Sequence, residues 1–284
     1  MNDSTLFRRI LIGSTWGWVL MFALVPFVIL LGASLLQQGN ETLVQPTVTM
    51  DNYRQLLSPT VFAMAADSIL LAAVAALLCL VIGYPFAAIL AHAPAATQPL
   101  LLLLVMIPFW TNSLIRTYAL VMLLKADGLI NMLLIQTGLV TEPLQLMYTQ
   151  FAVFIGLVYT LLPFMILPLF AALKAIDPKL LEAGRDLGAT RLQNFFRITI
   201  PLTMPGIIAG TMLVFLPALG MFYIADILGG ARAMLLGNFI RDQFLVFRNI
   251  PMGSAASITM TVAMGLLLLL YYLATRRSGK EIMQ

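Results

Sequence analysis

The sequence predicts an all-α integral membrane protein with six transmembrane helices, and three observations carry that fold class. The composition is 61% hydrophobic and only 10% charged, with a mean hydropathy of +0.97, whereas soluble domains run about 25% charged. Apolar stretches recur that can cross the hydrocarbon core, which takes about 20 residues of helix. Between them the basic residues gather in loops beside apolar spans, as membrane orientation requires. The net charge of +4 is therefore read as orientation in a bilayer, with lipid as the surrounding partner and no nucleic acid expected.

Six spans follow in order, at about 10–36, 66–91, 98–124, 148–173, 203–228 and 252–275, within one transmembrane domain over 1–284. The first follows Arg8 and Arg9. It is too long for the apolar region of a signal peptide and lacks a small-x-small cleavage site, so it is expected to be retained. The second holds the single cysteine, Cys79, in LLAAVAALLCLVIGY, where a small core role is expected. Near its end stands the single histidine, His92, expected to cap or snorkel. The third contains Pro108, which breaks a backbone hydrogen bond and is expected to kink the helix. Outer loops are expected at about 37–65, 125–147 and 229–251. The first of these includes VTMDNYRQLL, either a short amphipathic segment or a plain connector.

Placing both termini inside sets ten basic residues on the inner side: Arg8, Arg9, Lys174, Lys179, Arg185, Arg191, Arg197, Arg276, Arg277 and Lys280. Five fall outside (Arg54, Lys125, Arg232, Arg241 and Arg248), and Arg116 stays within a span. The excess favours cytoplasmic termini.

The loop between the fourth and fifth spans, 174–202, is the most charged part of the chain: Lys174 to Arg197 carry eight of the 28 charges. Asp177 can cap a helix whose first position Pro178 suits. Glu182 and Arg185, three apart, can pair on one face of that helix. Gly188 supplies a left-handed stop. Thr190 can cap a second helix, TRLQNFFRI, which Pro201 is expected to end. The apolar residues Leu180, Leu181, Leu187, Phe195 and Phe196 either pack on the spans or are offered to something outside them.

This helix–glycine–helix elbow resembles the EAA motif of ABC importer permeases, written E-A-A-x3-G-x9-I-x-L-P. The matching residues are Glu182, Ala183, Gly184, Gly188, Ile198, Ile200 and Pro201, with Gly184 in place of the second Ala and Ile200 in place of Leu. Glycine at that position weakens the helix by up to about 1 kcal/mol relative to Ala. The stretches IPFWTNSLIRTYA (107–119), GLVYTLLPFMILPL (156–169), RITIPLTMPGIIAG (197–210) and MGSAASIT (252–259) further resemble the spermidine/putrescine permeases of the PotB type. VTMDNYRQLL and FYIADILGGA extend the likeness over most of residues 49–275.

The resemblance implies a type I importer permease fold in a bacterial inner membrane, in which the elbow docks on a cytoplasmic ATPase. Glu182, Ala183 and Arg185 would make that contact and Gly188 the turn. It also implies a second, homologous permease subunit, two ATPase subunits that bind ATP and Mg, a periplasmic polyamine-binding protein, and a polyamine substrate. Related permeases carry sulfate, molybdate, iron or thiamine on the same architecture, so an importer for another small solute is a competing reading. An ion-coupled secondary transporter is the rival from a different class; it would use acidic residues in the spans as ion ligands and leaves the elbow without a role.

The chain itself offers no catalytic set and no metal-ligand set. It has no G-x-x-x-x-G-K-[ST], no H-E-x-x-H, no C-x-x-C and no G-x-S-x-G. It is expected to be a transport subunit, with no cofactor of its own. Substrate contacts are sought among polar groups that a bilayer penalises. Asp226 follows Tyr223 by one helical turn, a pairing that can hold an alkylammonium by charge and cation–π attraction. The competing account is an ion pair of Asp226 with Arg232 or Arg116. Asp67 is either a substrate contact or, with Ser68, a helix cap. Trp110, Ser113 and Thr117 share a face at i, i+3 and i+7 and can line the pathway. Polar helix–helix contact competes, especially for Asn112 and Ser113. Arg116 is expected to pair with an acid.

Overall fold

The computed structural model describes residues 3–39, 44–230 and 235–281. Among these, six helical stretches are long and apolar enough to cross a membrane: Phe7–Ser34, Pro59–His92, Ser113–Gln136, Gln150–Lys174, Arg191–Gly220 and Ile250–Leu273. The chain folds as two compact units, Met1–Ala63 with Phe239–Leu267, and Met64–Asn238 with Leu268–Gln284.

In the first unit, α1 (Asp3–Ser34) presents large apolar side chains such as Trp16 and Trp18 outward, as a lipid-facing helix must. A small antiparallel ladder, β1 (Leu36–Gln37) with β2 (Gln45–Val48), follows it. It is a minor departure from the all-α expectation, since strands this short leave no periodic trace. VTMDNYRQLL is not a plain connector. It contains helix α2 (Asp51–Leu56), moored by the buried Asn52, whose Nδ2 donates to the carbonyls of Ser34 (2.9 Å) and Leu36 (2.8 Å). Tyr53 and Ser34 add a hydroxyl–hydroxyl hydrogen bond of 2.8 Å.

The second unit is organised on α7 (Gln150–Lys174), which buries Val153, Leu157, Leu161, Met165 and Leu169. Its main partner is α10 (Ile200–Gly220). They approach so closely because Gly206 and Gly210, four apart on α10, have no side chain. A Cβ on Gly206 would stand 2.5 Å from Ala172 Cβ, and one on Gly210 would stand 2.8 Å from Met165 Sδ. This is the small-x3-small device by which membrane helices pack without a hydrophobic driving force. Helix α3 (Pro59–His92) joins them through Tyr84, whose hydroxyl shares a hydrogen bond of 3.0 Å with that of Thr203. Cys79 is fully buried on α3, in the expected core role. His92 hydrogen-bonds the Ala88 carbonyl through Nδ1 at 2.8 Å, closing the last turn of the same helix.

Three boundaries differ from the sequence expectation. The stretch read as one span at 98–124 is two helices, α4 (Gln98–Trp110) and α5 (Ser113–Leu124). Pro108 lies inside α4; the break falls at Thr111 and Asn112, where Asn112 Oδ1 accepts from Leu114 N at 2.8 Å and caps α5. The apolar run then continues past a turn into α6 (Leu129–Gln136). There the buried Asn131 braces the loop, donating to the Lys125 and Leu144 carbonyls and accepting from Leu144 N.

The stretch read as 203–228 is also interrupted. α10 ends at Gly220, and Met221 (φ −80°, ψ 63°) leaves the helix. Pro217 deprives the last turn of a hydrogen bond, and Gly220 is a weak helix former. A short helix α11 (Phe222–Ile224) and a π turn (Ala225–Gly229) follow. Pro201, finally, does not end a helix. The elbow's second helix runs through it into α10, because a π turn at Phe195–Thr199 shifts the hydrogen bonds so that Ile200 N reaches the Phe195 carbonyl.

Candidate coupling elbow and Asp226 site

The elbow is built from local signals. Asp177 caps α8 (Pro178–Asp186) by accepting from Lys179 N at 3.0 Å, with Pro178 at the first position. Gly188 has φ +80°, a conformation that an L side chain resists, and its N–H closes on the Arg185 carbonyl at 2.8 Å. Thr190 starts α9 (Arg191–Asn194) in a capping box: Gln193 N donates to Thr190 Oγ1, and Gln193 Oε1 accepts from Thr190 N at 2.8 Å. Gln193 was legible at that spacing as the reciprocal partner.

The departure at Gly184 has a structural reason. The residue is buried against α9, and a Cβ there would lie 2.5 Å from Asn194 Oδ1 and 2.9 Å from Ile198 Cδ1. Asn194 in turn donates to the Leu181 carbonyl at 3.0 Å, tying the two helices of the elbow together. Glu182, Ala183 and Arg185 are exposed, and Leu187 is 88% exposed at the tip. Leu180 and Phe196 also face outward, whereas Phe195 turns inward, edge-on to the Tyr84 ring with centroids 5.6 Å apart. Among the described residues, Glu182 and Arg185 do not form the ion pair that their spacing allows. Both instead line a cavity of about 700 Å³ between the elbow and the last turns of α3 and α7.

At the other end of α10, the π turn carries Asp226, which is exposed. Its Oδ1 accepts from Nδ2 of the buried Asn238 at 3.2 Å, and the same amide nitrogen lies 3.4 Å from the Phe222 carbonyl. Both neighbours are acceptors, which fixes the orientation of the amide. Asn238 was not singled out from the sequence, because nothing local ties it to a residue twelve positions earlier. Tyr223 is half-buried beside Phe222. Arg232 lies outside the described residues.

The remaining pathway candidates separate. Trp110 ends α4 and is 73% exposed, while Ser113 and Thr117 belong to α5, so the break at Thr111–Asn112 removes the shared helix face. Thr117 is buried and donates to the Ser113 carbonyl at 2.9 Å. Asn112 is a helix cap rather than interhelical glue. Asp67 is exposed well inside α3, which begins at Pro59, so it caps nothing. The neighbouring Ser68 is buried and accepts from Leu236 N at 2.8 Å, an anchor for the chain on its way to Asn238. Arg116 is buried without a partner acid: its Nε and Nη1 make no hydrogen bond among the described residues, and the guanidinium lies 6.0 Å from the Tyr159 ring centroid.

Comparison with known proteins gives a consistent picture. Residues 83–283 match the model of the family described as binding-protein-dependent transport system inner membrane component. The chain is 47% identical over 282 residues to the spermidine/putrescine transport system permease protein PotB of Salmonella typhimurium, covering 99% of this chain and 98% of that one. It is 49% identical over 266 residues to the protein of the same name from Escherichia coli, covering 94% and 97%. Among solved structures, it resembles a chain of a bacterial alginate ABC transporter in complex with an alginate pentasaccharide-bound periplasmic protein. The TM-score is 0.78 at 20% identity, over 97% of this chain and 95% of that one.

Proposed function

The chain belongs to the family of binding-protein-dependent transport system inner membrane components, a multi-pass inner-membrane transport subunit, and on that premise we propose that it forms half of the pathway of an ATP-driven importer for spermidine and putrescine. A second, homologous permease supplies the other half. Two cytoplasmic ATPase subunits bind ATP and Mg, and a periplasmic binding protein delivers the polyamine. Both termini are cytoplasmic in this reading, which the distribution of basic residues supports.

The observation that carries the reading is the elbow. Its helix α8 is capped at Asp177, turned at Gly188, and exposes Glu182, Ala183, Arg185 and Leu187. A segment that only joined two spans has no need of a rigid, outward-facing amphipathic helix. We assign those four positions and Gly188 to ATPase coupling. The polyamine assignment is supported by the relatives' names at 47% and 49% identity. Asp226, held by Asn238 and three residues after Tyr223, is the carboxylate we assign to an alkylammonium of the cargo. Asp67 and Trp110 are exposed, and they remain pathway candidates together with Ser113 and Thr117.

The test is labelled polyamine uptake in bacteria lacking their own polyamine importers. The permease is expressed with its partner permease, ATPase and binding protein, beside Asp226→Asn and Glu182→Lys variants of equal abundance. Wild type is expected to import both polyamines. Asp226→Asn should lower uptake at least tenfold while ATP hydrolysis persists, and Glu182→Lys should lose uptake and its coupling to hydrolysis. Uptake that persists with the ATPase omitted would establish the ion-coupled carrier instead. Failure of the assembled wild type on both polyamines would overturn the substrate.

A further inference from the structure

The cavity of about 700 Å³ between the elbow and the last turns of α3 and α7 shares Glu182 and Arg185 with the proposed coupling surface, whereas the exposed Leu180 and Leu187 are not part of its lining. Its position and lining both point to a ligand. It lies at the last turn of α3, marked by His92, and the last turn of α7, marked by Lys174. These are the ends of two helices long and apolar enough to cross a membrane, so on the topology proposed above the cavity lies at the inner membrane surface. Tyr84, Leu173 and Phe195 give it apolar walls.

The charged lining is unbalanced. Lys174, Arg185 and Arg191 face a single carboxylate, Glu182, and no ion pair among the described residues cancels any of them.

We propose that this cavity binds the headgroup of an anionic phospholipid of the phosphatidylglycerol kind. The phosphodiester anion meets Lys174, Arg185 and Arg191, and the acyl ester region lies along the apolar walls. Basic pockets between helix ends are the usual seats of such headgroups. A choline headgroup is zwitterionic and leaves the excess of basic side chains uncancelled. The lipid would brace the elbow against the ends of α3 and α7, leaving Leu180 and Leu187 uncovered.

The experiment uses the full chain purified in mild detergent, with vesicles of phosphatidylglycerol or phosphatidylcholine as the probes. Retained lipid is counted by native mass spectrometry after delipidation, and a photoactivatable phosphatidylglycerol is mapped by peptide sequencing. Wild type is expected to retain phosphatidylglycerol at least tenfold over phosphatidylcholine, with labelling in the inner-end peptides of α3 and α7. Lys174→Gln with Arg191→Gln should abolish the preference at an unchanged melting temperature, and Lys174→Arg with Arg191→Lys should restore it. Equal retention of the two lipids, or an unchanged preference in the Gln variant, would overturn the proposal. So would millimolar inorganic phosphate displacing the label, which would make this a site for free phosphate. If the Gln variant melts lower, the labelling map on wild type decides alone, and label elsewhere overturns the assignment.

Discussion

Gly184 and Asn194 compete for one space: the amide of Asn194 occupies the volume that a side chain at position 184 would fill, with Oδ1 2.5 Å from the place of a Cβ. Gly184→Ala, which restores the residue usual in the EAA motif, should therefore destabilise this chain by about 1–3 kcal/mol as an overpacking change, despite Ala's better helix propensity. Combining it with Asn194→Ala should recover part of the loss. Melting curves of the two single variants and the double variant make the cycle; additive losses would count against the contact.

Gly188 holds φ +80° with open space where a Cβ would stand, so only backbone strain penalises a side chain there. Gly188→Val should cost about 1–2 kcal/mol at that residue and reorient α8 rather than unfold the spans. ATP hydrolysis by the assembled importer should lose its dependence on cargo, while the helical circular dichroism signal is kept. Gly188→Asn should be milder.

The crossing of α7 and α10 makes the opposite prediction for Gly206. A side chain there meets Ala172 Cβ and the Pro168 carbonyl, the latter being backbone that cannot rotate away. Gly206→Leu should remove folded protein from the membrane fraction, an effect above about 3 kcal/mol. Measuring the monodisperse yield after extraction checks it.

Arg116 buries a cation over Tyr159 without a hydrogen bond to Nε or Nη1 among the described residues. Arg116→Met keeps the length and removes the unsatisfied donors. In the isolated subunit it should raise the melting temperature, corresponding to about 1–3 kcal/mol. A lower melting temperature would mean that the guanidinium is satisfied in solution.

What could be read from the sequence is what is written within a few residues. Asp177-Pro178, Gly188 and Thr190 each act on their own turn of helix, and all three do what their types predict. Asn112 was equally readable as a cap, but the apolar runs on either side hid the break. The anchors escaped because their partners are remote: Ser68 holds Leu236, and Asn131 holds Leu144. Their types are ordinary for a loop or a helix, and only folding brings the pairs together. Pro201 misled for a different reason. A proline ends a regular α-helix, but the π turn before it had already shifted the hydrogen bonding.

That π turn has a mechanical consequence. Because the helix passes through it unbroken, Arg191–Gly220 is a single shaft of 30 residues, or roughly 45 Å at 1.5 Å per residue. A tilt of about 10° imposed at the elbow end then carries the far end sideways by about 8 Å over that length. The first joint along the shaft is Met221, just before Tyr223 and Asp226. With the coupling role proposed for the elbow and the cargo role proposed for Asp226, a stroke that reaches Arg191 is carried along the shaft to Met221, and the slack in the linkage lies beside the proposed cargo carboxylate.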